Sequence, residues 1–111
     1  LAVFPYRTLT RTESNPSCVL ECLACKSTVI TSALEELKEI LIEDKDCLMV
    51  KPADPSAIAE KIIYALKNET KMKILNEHGF MTARNFSVNK ITTEFVEEYE
   101  KLLAGGQSKT I

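Results

Sequence analysis

The sequence predicts an α/β fold, a short parallel sheet with helices on both faces. Three apolar runs point to it first: Leu1-Ala2-Val3-Phe4, Thr28-Val29-Ile30-Thr31 and Cys47-Leu48-Met49-Val50. Each is short and almost continuously hydrophobic or β-branched, the pattern of strands covered on both faces rather than one. Second, the stretches following these runs carry apolar residues at helical spacing. Third, helical stretches open on capping or proline signals. Strand and helix in alternation build a parallel sheet.

The elements follow in order. Pro5 ends the first strand, and Tyr6 to Ser14 is polar and unpatterned, so it reads as a loop. Asn15-Pro16 then opens a helix, with Asn as N-cap and Pro preset for the first helical position. That helix carries Cys18, Leu20, Cys22, Leu23, Ala24 and Cys25 and stops near Lys26. After the second strand, Ser32 and Glu35 form a capping box ahead of Leu34, Leu37, Ile40 and Leu41. Glu43 to Asp46 is a charged turn before the third strand. Asp54-Pro55 repeats the cap-and-proline device and starts a helix through Ala57, Ile58, Ile62, Ala65 and Leu66. Two more helices are expected over about 69–84 and 88–103. The last has Val88, Ile91, Phe95, Tyr99 and Leu102 on one stripe. One domain over 1–103 and a flexible tail over 104–111 complete the reading.

Bulk properties narrow the function. A chain of 111 residues buries roughly 65% of its unfolded surface, enough for a core without disulfides. A net charge of −2 disfavours a nucleic-acid surface, which needs clustered Lys and Arg. No apolar run approaches the roughly 20 residues of a membrane span, and the first residues lack a signal-peptide pattern. A cytoplasmic location is expected, although a partner could bring the chain to a membrane. In that compartment Cys18, Cys22, Cys25 and Cys47 are expected as reduced, buried thiols. A sheet of three strands has two open edges, which usually require a partner domain, a partner chain or a second copy.

From residue 13 onward the sequence resembles the retaining GT-B glycosyltransferases of group 1, which use nucleotide-sugar donors. Their signature pairs two glutamates across seven residues, E-G-F-G-x-x-x-L-E-A-M-A-C-G. Here the stretch runs Glu13-Ser14-Asn15-Pro16-Ser17-Cys18-Val19-Leu20-Glu21-Cys22-Leu23-Ala24-Cys25-Lys26. Thr28 to Ser32 resembles the family's PVVAS strand. Lys38-Glu39-Ile40, Glu43-Asp44, Leu48-Met49-Val50 and Asp54-Pro55-Ser56-Ala57-Ile58-Ala59 resemble its PEI, DG, GLLV and DPEALA blocks, in order. Asn85-Phe86-Ser87 resembles the closing FSWE helix start. The resemblance implies a Rossmann-like three-layer unit, truncated at its N-terminus, that is one incomplete half of a GT-B fold.

It also implies chemistry. Ligands of open parallel sheets bind beyond the C-terminal ends of the strands, where loops enter helices. The loop 5–15 and the next helix start occupy that place. A helix N-terminus offers free N–H groups and about half a positive charge, which suits a diphosphate, and Ser17 and Cys18 would supply the donors. By the resemblance, Glu21 holds the ribose through two vicinal hydroxyls and Glu13 lies against the transferred sugar as the catalytic-site carboxylate. The nucleotide sugar is a substrate, and no cofactor or metal is implied. The missing N-terminal Rossmann domain would bring the acceptor site and catalytic contacts, so the chain alone is expected to be inactive. The full enzyme could associate peripherally with a membrane. Three departures stand out: Ser14-Asn15-Pro16 replaces Gly-Phe-Gly, Glu35-Glu36 replaces a glycine pair, and Lys26 replaces a glycine. Pro16 lacks an N–H, and two acids would repel a diphosphate unless they point away. A non-catalytic dimerising module descended from such a domain is the alternative reading.

Other signals carry less. Cys18-x3-Cys22-x2-Cys25 has the spacing of an iron–sulfur loop motif, but falls at i, i+4 and i+7 of a predicted helix, the mark of a small-residue face. His78 is a lone surface histidine without placeable partners. Glu94, Glu97, Glu98 and Glu100 make a solvated helix face. Lys61, Lys67, Lys71 and Lys73 read as scattered along two helices with no phosphate patch.

Overall fold

The computed structural model describes residues 1–8 and 16–105. It has three strands, β1 (Ala2–Phe4), β2 (Val29–Ser32) and β3 (Leu48–Val50), and five helices. These are α1 (Ser17–Ala24), α2 (Glu35–Lys38), α3 (Pro55–Lys67), α4 (Glu69–Arg84) and α5 (Val88–Gly105). The strands lie in the order β1-β2-β3, all parallel, with Val3 opposite Ile30 and Ile30 opposite Leu48. The α/β class and the covered parallel sheet are as the sequence predicts.

Why the runs are continuously apolar is visible in the core. Val29 and Met49 face one layer with Val19 and Leu23 of α1, while Ile30, Leu48 and Val50 face the other with Ala65 of α3. Successive residues of a strand point to opposite faces, so a sheet covered twice needs both sets apolar. Helix α4 joins the two layers. Its Met72 and Leu75 pack on the α3 side and its Ala83 on the α1 side. It crosses at the N-terminal ends of the strands, where Thr28 Oγ1 donates to Asn76 Oδ1 at 2.9 Å. Gly79 sits there because a Cβ would lie 2.7 Å from the Asp46 carbonyl oxygen and 2.8 Å from Leu23 Cδ2. Asp46 is buried at the same crossing, accepting from Ile42 N and Thr82 Oγ1, both at 2.9 Å.

Local signals fared unevenly. Asp54 caps α3 as expected, its Oδ1 accepting from Ala57 N at 3.0 Å with Pro55 in the first turn. The Ser32/Glu35 capping box is not formed. Ser32 is the last residue of β2, 1% exposed, and Leu34 occupies the N-cap without a side-chain bond. The ladder wins there: Ala33 N donates to Val50 O at 2.7 Å, which holds the chain extended one residue longer. Helix α2 is only four residues and buries Leu37, and the turns that continue it bury Leu41. At α1 the N-cap position is Pro16, not the first helical position, and Asn15 lies outside the described residues. Ala104 and Gly105, expected in a flexible tail, belong to α5, and the rest of that stretch lies outside the described residues.

Candidate functional site

Helix α1 runs back from the C-terminal end of the sheet, so its first turn stands above the strand ends. Tyr6, two residues beyond β1, reaches it: the Tyr6 hydroxyl and Cys18 Sγ are 3.4 Å apart. Burial first, and then the Cys18 thiol, push the Tyr6 hydroxyl up to about 12. Ser17 and Cys18 are the first two residues of the helix and both are exposed. The first turn's N–H groups lack intrahelical carbonyls by geometry. Val19 N, the third, is satisfied by Pro16 O at 3.2 Å. Glu21 follows one turn later, exposed, its side chain without a hydrogen bond or ion pair among the described residues. Three of the four candidate residues are thus together on the start of one helix. Glu13 lies outside the described residues.

The first turn holds no acid and no base that would compete with or neutralise an anion. Glu35 and Glu36, the acids standing for a glycine pair, open α2 beyond β2. Glu35 is engaged by Lys38 at 2.8 Å and is 86% exposed, so its charge is drawn outward. That proximity to Glu35 also raises the Lys38 ammonium above its ordinary value. Lys26 has no bearing on this end. It closes α1 at the opposite end, where its Nζ pairs with Glu77 at 2.9 Å and lies 4.9 Å from the Phe80 ring centroid.

A cleft of about 260 Å³ opens at the same C-terminal end, lined by Pro5, Arg7, Ser32, Ala53, Asp54, Pro55 and Ile58. None of Ser17, Cys18 and Glu21 lines it. Arg7 is the basic residue that the sequence leaves in an unpatterned loop; its place three residues past the half-buried β1 was the available signal. Among the described residues no cluster of His, Cys, Asp and Glu is arranged to hold a metal ion. The expectation of buried thiols holds for Cys47 alone. Cys18 and Cys25 are exposed and Cys22 is half-buried, because α1 buries only Val19 and Leu23.

With this geometry in view, the relatives are informative. The family model of the glycosyl transferases group 1 matches residues 1–81. The chain belongs to that family. A curated glycosyltransferase of Methanocaldococcus jannaschii, itself uncharacterized, is 30% identical over 92 residues, covering 83% of this chain and 26% of the relative. Among solved structures, sucrose-phosphate synthase from Thermosynechococcus elongatus aligns with a TM-score of 0.74 and 26% identity over 82% of this chain. A glycosyltransferase from Rickettsia africae aligns with a TM-score of 0.70 and 26% identity over 78%. The chain spans about a quarter of each: 26%, 23% and 24% of their lengths. The fold is that of a GT-B glycosyltransferase fragment. No helix among the described residues is long and apolar enough to cross a membrane.

Proposed function

We propose that this chain is the donor-binding part of a retaining glycosyltransferase that takes its sugar from a nucleotide-sugar donor. The observation that carries the reading is the start of α1. There Ser17, Cys18 and Glu21 stand exposed at the C-terminal end of a parallel sheet, in a chain of the group 1 family. The Ser17 and Cys18 N–H groups take the diphosphate, helped by the helix dipole. The Glu21 carboxylate accepts from two vicinal ribose hydroxyls, a charge-assisted pair of bonds. Glu13 faces the transferred sugar. Catalytic contacts and the acceptor site come from the protein beyond this quarter, so the chain alone turns over no nucleotide sugar.

In the whole enzyme, Glu21→Ala should raise KM for the donor by roughly ten- to a hundredfold, the effect of losing bonds to a charged acceptor. Glu21→Gln should recover part of it. An unchanged KM in Glu21→Ala would remove the ribose assignment.

The second reading, a non-catalytic dimerising module, has one specific observation in its favour. Helix α5 buries no residue, and its Phe95, Tyr99 and Leu102 are each at least 59% exposed. Such a module would self-associate and ignore nucleotides.

A further inference from the structure

A second cleft, of about 530 Å³, opens between α3 and α4 at the start of β3, the end of the sheet away from Ser17 and Glu21. Its floor is apolar, made by Leu48, Met72 and Leu75, each at most 5% exposed. Its rim is cationic. Lys45 comes from the turn before β3, Lys61 from α3 and Lys71 from α4, with His78 one side and Asp44 the only carboxylate of the lining. Of the four lysines that look scattered along the two helices, Lys61 and Lys71 are brought onto this cleft, because α3 and α4 form a hairpin joined at Asn68, while Lys67 and Lys73 are not.

Three features bear on what would fill it. None of Lys45, Lys61 and Lys71 has an ion-pair partner within 4 Å among the described residues, whereas Lys26, Lys38, Lys73 and Lys101 do. Unpaired cations facing one cavity raise its potential and favour an anion over water alone. Lys61 Nζ lies over the Tyr64 ring, 5.8 Å from its centroid, so a cation and an aromatic ring stand together at the rim. A concave apolar floor with a few polar groups at the rim is the form of a small-molecule site, and differs from an evenly charged surface.

We propose that this cleft binds a small phosphate ester with an aromatic or apolar body. The phosphate lies among the ammonium groups of Lys45, Lys61 and Lys71, and the body packs on Tyr64 and the Leu48–Met72–Leu75 floor. This assignment is independent of the donor reading, since no residue is shared between the two ends.

The test is an NMR titration of the isotope-labelled chain with phenyl phosphate, inorganic phosphate and phenol as probes. Phenyl phosphate should bind saturably and roughly tenfold tighter than either half alone, since it engages charge and floor together. Its shifts should centre on amides of Lys45, Leu48, Tyr64 and Leu75. Lys61→Gln and Lys71→Gln should each weaken it about fivefold to tenfold. Lys67→Gln, on α3 but outside the cleft, and Glu21→Ala should leave it unchanged. These are surface changes, and the spectra themselves report whether each variant stays folded. The proposal is overturned if phenyl phosphate binds no tighter than inorganic phosphate, or if Lys67→Gln weakens it as much as Lys61→Gln. Shifts confined to the first turn of α1, or binding only to vesicles containing phosphatidic acid, would overturn it equally.

Discussion

Lys26 shows how a residue can depart from its family's pattern without touching the family's chemistry. Cys25 closes α1, and the next residue has φ 56°, the left-handed conformation. Lys26 N donates to Leu23 O at 2.9 Å and Ser27 N to Cys22 O at 3.0 Å, the paired bonds of a Schellman ending that favours glycine. The pair to Glu77 and the Phe80 ring partly offset the Cβ strain, although an exposed pair is worth at most about 1 kcal/mol. We expect Lys26→Gly to exceed Lys26→Ala in unfolding free energy by about 1 kcal/mol, read from urea midpoints, because both lose the contacts and only alanine keeps the strain. Cys47 makes a second case. Burial first, then Asp46, Glu43 and Asp44, push its thiol from the ordinary 9.0 up to about 12. The folded state therefore holds a proton that the unfolded chain releases between those values. Stability linked to Cys47 is intact below about pH 9 and is lost as pH rises towards 12. Cys47→Ala should flatten that alkaline decline while lowering stability at neutral pH. A thiol reagent should label Cys18 and Cys25 in the native chain, and Cys47 only as it unfolds.

At the scale of elements, the crossing of α4 beneath the sheet holds both layers together, and Gly79 leaves no room there for a Cβ. Gly79→Ala gains helix propensity of about 1 kcal/mol but drives a methyl against the Asp46 carbonyl, backbone that cannot swing away. The expected net is a destabilisation of about 1–3 kcal/mol by thermal or urea unfolding. A variant as stable as the parent would mean α4 can shift outward. Such close approaches are illegible in sequence, where Gly79 is one small residue on an amphipathic helix. The three strands, by contrast, were legible to within a residue, since a sheet covered on both faces leaves a continuous apolar run. Asp54-Pro55 was legible for a local reason, a carboxylate three residues before a free N–H. Ser32 was misread because the same local rule met a stronger competitor, the parallel ladder that keeps Ala33 bonded to Val50. The start of α1 was readable from Pro16 and the strand before it, whereas the roles proposed for Glu21 and Glu13 rest on the family signature. The basic cleft was not readable, because Lys45, Lys61 and Lys71 meet only when α3 and α4 fold back on each other.

The molecule as a whole carries an imbalance that its sequence half announces. The stripe Val88, Ile91, Phe95, Tyr99 and Leu102 lies on α5, yet the helix buries none of it: Ile91 is half-buried, the other four are exposed, and the molecule extends to 61 × 29 × 17 Å. This exposed apolar stripe is the observation behind the dimeric reading. Under the dimeric reading, sedimentation should show self-association that Phe95→Glu abolishes; a monomer at high concentration would leave the stripe for the rest of the enzyme. The chain spans about a quarter of the length of each relative it matches. The central claim is that this part holds the nucleotide of a sugar donor at the start of α1. A thermal-shift titration of the chain with UDP, GDP and ADP, in parent and Glu21→Ala forms, tests it most directly. A nucleotide held by the parent at a hundred times its Kd stabilises the fold by about 2.7 kcal/mol. The account predicts such a shift for one base, lost in Glu21→Ala. A shift that survives Glu21→Ala, or none with any nucleotide, would contradict it.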